Sequence, residues 1–124
     1  MQNYVTIKEN KDFKRLYFRG KSFVDPTFVM YVAKGRKGKL RLGITAGKKL
    51  GCAVNRNRAK RVIRAAFADV SPNIQKGYDF IFVARTRILN EKSNTVANGM
   101  KKQLKAAGVL VEIPSDKQFA DKSY

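Results

Sequence analysis

Residues 78–85, "YDFIFVAR", are a nearly unbroken apolar run of strand length. Such a run predicts a β-strand buried on both faces. Three earlier segments also read as strands. "KSFV" at 21–24 is short and meets the turn signal Asp25-Pro26. "TFVMYVAK" at 27–34 alternates, with Phe28, Met30 and Val32 on one face and Val29, Tyr31 and Ala33 on the other. "LRLGITA" at 40–46, beyond the basic turn "GRKGK" at 35–39, sets Leu40, Leu42, Ile44 and Ala46 on one face.

Three helices complete the pattern. The first is predicted over 11–19, with Asn10 as N-cap and Gly20 as stop; Phe13, Leu16 and Tyr17 share a face. The second spans 53–69 and closes at Ser71-Pro72. The third spans 94–107, with Val96, Met100 and Leu104 in line, Gly108 at its end and Gly99 as a weak point inside. The order is α-β-β-β-α-β-α. It predicts an α+β fold with a mainly antiparallel four-stranded sheet covered by helices on one face. The strand–helix–strand unit around 40–85 should set its second strand parallel to a neighbour. "VLVEI" at 109–113 reads as a small edge strand or packed extension. A single domain is expected over 1–113, followed by a flexible tail over 114–124.

Charge narrows the function. The chain carries 27 Lys and Arg against 9 Asp and Glu, a formal net charge of +18. That excess disfavours a compact monomer and favours a polyanionic partner, nucleic acid first and an anionic membrane second. There is no histidine, so the commonest metal ligand and general base is missing. Cys52 stands alone, which forbids an intrachain disulfide and suits the cytoplasm. No apolar run approaches the roughly 20 residues of a membrane span, and the N-terminus lacks the apolar centre of a signal peptide.

The charge is densest in "NRNRAKRVIR" at 55–64. At roughly 100° per residue, Ala59, Val62, Ile63, Ala66 and Phe67 share an arc of about 140°. Arg58, Lys60, Arg61 and Arg64 occupy the opposite side, and Arg56 and Asn57 precede them. Most charge runs are merely solvated. Here the cations gain no acidic i,i+4 partner, and Asp69 is the helix's one acid. A helix laid against phosphates explains the pattern, since the arginine fork donates two parallel bonds to phosphate oxygens. The asparagines add donors and acceptors for sugar and backbone groups. Lys48 and Lys49, in "GKKLG", stand at the approach to the helix N-terminus, where free amides already favour anions.

Phe13, Tyr17 and Tyr31 are aromatic residues interleaved with cations. Rings of this kind are often core. They are also how single strands are held, with bases stacked on rings while cations track the phosphates. The nine acids are scattered without the spacing of an acid–base pair or a two-metal site.

"GKKLGCAVNRNRAKRVIRAAF" at 47–67 resembles the signature of the bacterial ribonuclease P protein subunit family. That signature is an Arg-Asn-Arg core continued as x-Lys-Arg on a helix after a Lys-Lys-x-Gly turn. Arg56-Asn57-Arg58 and Lys60-Arg61 supply it here. "KDFKRLYFRG" is similar to the family's first helix and "FVMYV" to its second strand, so the resemblance covers about residues 7–107. Where the family often has serine and asparagine around the lysine turn, this chain has Gly47 and Cys52.

The resemblance implies a fold similar to a ribosomal protein S5 domain, with a left-handed crossover around the second helix. It implies binding to the ribonuclease P catalytic RNA, and removal of the 5′ leader from precursor tRNA by the complex. Magnesium (Mg2+) would be held by the RNA, leaving no catalytic residue on the protein. Lys48, Lys49, Arg56, Asn57, Arg58, Lys60, Arg61 and Arg64 would contact RNA, and Phe13, Tyr17 and Tyr31 would line the leader cleft. Two other readings share the basic surface: a structural protein bound to ribosomal RNA, and a nuclease acting without RNA.

Overall fold

A computed structural model describes residues 4–111. In chain order the elements are β1 (Val5–Thr6), α1 (Asn10–Arg19), β2 (Lys21–Val24), β3 (Phe28–Lys34), β4 (Leu40–Thr45), α2 (Ala53–Val70), β5 (Tyr78–Ala84) and α3 (Ser93–Ala107). Short 3-10 turns occupy Lys48–Leu50, Ser71–Asn73 and Thr86–Asn90. The α+β class and the strand and helix positions agree with the sequence pattern. Helix α1 starts at Asn10 itself, with Glu9 in the cap position.

The sheet corrects the four-stranded, mainly antiparallel expectation. It has five strands in the order β1-β4-β5-β3-β2. The β2–β3 and β3–β5 pairs are antiparallel, whereas β4–β5 and β1–β4 are parallel. The parallel β4–β5 pair is the strand–helix–strand unit read from the sequence, with α2 as its crossover. Strand β1 has two residues, both exposed, and so offers neither periodicity nor an apolar run to read.

The single-face covering is corrected as well. Phe80, Phe82 and Ala84 of β5 face the larger core, with Phe28, Met30, Leu40 and Leu42 beneath α2 and α3. Ile81 faces the other way and packs with Leu16 of α1 and Ile7. Helices therefore lie on both faces, which is what the unbroken apolar run of β5 requires. From α2, Ala59, Ile63, Ala66, Phe67 and Val70 are buried. Phe67 meets Phe82 at 5.7 Å and Tyr4 edge-on at 5.1 Å between ring centroids. Burial of Ile63 or Phe67 is worth about 1.5–3 kcal/mol each.

β5 enters between two strands that are neighbours in sequence. Gly77 donates its N–H to the carbonyl of Lys39 at 2.6 Å and accepts from Gly35 at 2.9 Å, so it divides the two ends of the 35–39 turn. At the far end, α3 stops at Gly108 in the left-handed region, φ 74°. Residues 109–111 then lie against 73–75: Gln75 donates to Val109 and Val111 donates to Asn73. The remainder of the expected 109–113 strand, the domain boundary and the 114–124 tail lie outside the described residues.

Candidate RNA interface

Helix α2 carries its cations in two groups. Arg56, Lys60 and Arg64 follow one another at i, i+4 and i+8, along the edge of the buried stripe. Lys60 and Arg64 line a cavity of about 90 Å³ with Tyr4, Thr6, Ile7, Leu42 and Ile44. Arg56 is half-buried, and its Nε is enclosed without a hydrogen-bond partner. Asn57 and Arg61 are exposed and Arg58 is half-exposed, on the side turned from the sheet. The opposition of one apolar and one cationic face thus holds for Arg58 and Arg61. It is corrected for Lys60 and Arg64, which border the apolar stripe and line the cavity beside Leu42 and Ile44; Arg56, which precedes them, falls beside Ile63 and Phe67 on the helix.

The lysine turn is folded. Lys48–Leu50 is a 3-10 turn with Leu50 buried, which leaves Lys48 and Lys49 exposed just before α2. Asn55 donates Nδ2–H to the carbonyl of Leu50 at 3.0 Å, so this asparagine ties turn to helix and is spent internally. Cys52 is exposed at the N-cap of α2. The backbone N–H of Asn55 holds its thiol below the ordinary thiol pKa, against a smaller opposing effect of desolvation. Lys48, Lys49, Arg56, Arg58, Lys60, Arg61 and Arg64 form no ion pair among the described residues.

The three rings come together on the opposite face of the sheet. Tyr17 meets Tyr31 edge-on at 5.0 Å, and Phe13 lies 6.4 Å from Tyr17. Tyr17 is 41% exposed, and its hydroxyl is 3.2 Å from Oγ1 of Thr45. A β-carbon on Gly43 would stand 3.0 Å from the Phe13 ring, so glycine lets that ring settle on β4. Beyond the rings, Val29, Val83 and Thr45 form a half-exposed floor at one cross-strand level. Sequence reading missed Val29, Val83, Thr45 and Gly43. Alternation places the first three on the face of Tyr31, but exposure depends on α1 ending where it does.

Beside the rings lies a buried ionic group, also missed. Asp79 is fully buried on β5. It accepts from Arg41 through Nε at 2.9 Å and Nη2 at 2.7 Å, and from Arg15 of α1. Arg41 also reaches Asp12 at 3.3 Å. Burial pushes the Asp79 pKa up; hydrogen bonds and charges of the two arginines outweigh it and leave the carboxyl below the ordinary value. The same contacts raise the pKa of Arg41. Among the described residues no three acidic, histidine or cysteine side chains gather as a metal site.

The comparisons with known proteins agree with one another. A family model described as Ribonuclease P matches residues 1–108. The chain belongs to the ribonuclease P protein family. A ribonuclease P protein component from Clostridium kluyveri is 39% identical over 105 residues, covering 83% of this chain and 94% of the relative. One from Clostridium botulinum is 36% identical over 104 residues, with the same coverage. Among solved structures, a mutant Staphylococcus aureus RNase P protein matches with TM-score 0.75 and 37% identity, covering 85% of this chain and 89% of that one. The Thermotoga maritima RNase P protein matches with TM-score 0.73 and 28% identity, covering 82% and 96%.

Membership in the ribonuclease P protein family makes this chain a tRNA-processing ribonucleoprotein component with an RNA partner. Among the described residues no helix is long and apolar enough to cross a membrane.

Proposed function

We propose that the chain assembles with the ribonuclease P catalytic RNA, and that the complex removes the 5′ leader of precursor tRNA. The exposed and edge cations of α2, with Lys48, Lys49 and Asn57, hold the RNA subunit. Phe13, Tyr17 and Tyr31 form the ledge on which leader bases stack. The chemistry and its Mg2+ belong to the RNA, and the assembly works in the cytoplasm. The same reading extends to an S5-like fold with a left-handed β4–α2–β5 crossover; the parallel pairing of those strands supports the crossover itself.

The observation that carries the proposal is the separation of two surfaces. Seven cations without acidic partners among the described residues lie at and before α2, and a part-exposed aromatic ledge lies on the other side of the sheet. A polyanion and single-stranded bases are the ligands these surfaces suit.

The test is reconstitution with a bacterial ribonuclease P RNA in Mg2+. The complex should cleave precursor tRNA at the mature 5′ end, and the protein alone should not cleave. Cleavage by RNA-free protein that is lost on changing a single acid would place the chemistry on the protein and overturn the reading. Co-sedimentation with ribosomal subunits in place of the catalytic RNA would favour a structural ribosomal role.

A further inference from the structure

The face of the sheet beneath and beyond helix α1 has three cross-strand levels. The first is Arg41, Asp79 and Ala33, the second Gly43, Ile81 and Tyr31, and the third Thr45, Val83 and Val29. Leu16 of α1 is fully buried with Ile81. At 100° per residue, Asp12 and Arg15 fall on one flank of Leu16 and Phe13 and Tyr17 on the other.

The two flanks are held very differently. Arg15 donates to buried Asp79 and, through Nη1, to the carbonyl of Lys34 at 3.2 Å. Asp79 is in turn clasped by Arg41, which also reaches Asp12. The aromatic flank has ring contacts and a single hydroxyl contact at the surface. Rotation of α1 about its own axis is therefore resisted chiefly on the ionic side. A buried ion pair contributes little net stability, because desolvation offsets its attraction. What it does supply is direction: only one roll of the helix satisfies both carboxylates. The floor helps, since Gly35 lies so near Asp79 that a β-carbon there would come within 2.3 Å of Oδ1.

We propose that Arg15 and Asp79 are positioning residues for the aromatic ledge, fixing the roll of α1 so that Phe13 and Tyr17 face the bound single strand. The proposal rests on the ledge being the leader-binding site. Neither residue needs to touch RNA; both act through the rings on the far flank.

The experiment uses this protein reconstituted with a bacterial ribonuclease P RNA, with affinities measured for precursor and mature tRNA. Asp79→Asn would strand two arginines and risks unfolding, so Arg15 is the better probe. Arg15→Gln cuts the tether on α1 and leaves the Arg41–Asp79 pair in place. Arg15→Lys keeps the charge and a donor. Because a displaced ring forfeits part of a stacking contact, Arg15→Gln should weaken precursor binding by roughly five-fold. Mature tRNA binding should stay unchanged, and Arg15→Lys should recover most of the loss. The double variant Arg15→Gln/Tyr17→Ala should bind precursor no more weakly than Tyr17→Ala alone, since the tether works through that ring. Thermal melting of each variant checks folding.

Additive losses would mean that Arg15 meets RNA by itself, and the positioning role would fall. Equal weakening of both tRNA forms would mean a general defect and also overturn it. If Tyr17→Ala discriminates precursor from mature tRNA while Arg15→Gln is silent, the positioning role fails and the leader reading stands. If Tyr17→Ala fails to discriminate, both fail.

Discussion

The carboxylate of Asp25 lies against the α-carbon of Gly99, where an added β-carbon would stand 2.7 Å from Oδ1. Asp25 is buried in the turn between β2 and β3, and accepts from the N–H of Thr27 at 3.0 Å and its hydroxyl at 2.8 Å. Gly99 is in the middle of α3, where glycine costs about 1 kcal/mol relative to alanine. It is there because the turn and the helix touch.

Gly99→Ala should therefore destabilise the protein in spite of its better helix propensity. Overpacking of this kind costs about 1–3 kcal/mol. Urea denaturation would measure it, and RNA affinity should be unaffected. A gain in stability would mean that the turn shifts freely away from α3.

Binding to the RNA subunit should weaken steeply with salt, because each neutralised phosphate releases counterions. Arg58→Ala with Arg61→Ala should flatten the slope of log K against log salt by roughly 0.7–0.9 per arginine. These side chains lie away from the core, so melting should hardly move. An unchanged slope would remove the outer face of α2 from the phosphate contacts.

Tyr31→Ala tests the ledge from the sheet side. One lost stacking contact, worth roughly 1–3 kcal/mol, should weaken precursor tRNA binding by about ten-fold. Mature tRNA, which lacks the leader, should bind as before. A parallel fall for both, or a fall in stability alone, would make Tyr31 a core residue.

The strands and helices were legible because their apolar spacing is regular. β5 even announced covering on both faces, although the layering drawn from the element order ignored it. β1 was illegible: Val5 and Thr6 are held by pairing with Arg41 and Leu42, and nothing local marks them. The rings of the site were readable as residue types, but their half-exposure depends on where α1 lies. Asp79 carried a signal that went unused. An acid opening an apolar strand must be paired or neutral, and Arg41 sits directly opposite it in register.

Acid should unmake that pairing. The folded pKa of Asp79 is depressed, because the arginine bonds outweigh the upward effect of burial. Its contribution is complete above the ordinary aspartate pKa, about 3.9, and is lost as pH falls through the lower folded value. Stability should thus drop below about pH 4. Arg15→Gln should shrink the drop, as read from denaturation midpoints across pH. An equal drop in both proteins would assign it to other carboxylates.

Cys52 offers a footprint. Its exposed thiol is held below the ordinary pKa by the Asn55 N–H. Alkylation by iodoacetamide should reach its half-maximal rate at a lower pH than for a free thiol. Bound RNA should slow it, since the sulfur lies between Lys49 and Arg56 in sequence. Unchanged labelling in the complex would put the RNA elsewhere.

The entry of β5 between β3 and β4 bears on how the chain reaches its fold. The five-residue turn at 35–39 is short enough to let those two strands zip directly into a hairpin, within about 1–10 μs. Native pairing forbids it, for Gly77 keeps the two ends of that turn apart. On the ribosome β3 and β4 emerge well before Tyr78, so any hairpin they form must open before β5 can enter between them. Local closure and native strand order therefore favour different partners for β4: the near strand β3 in the one, the distant strand β5 in the other.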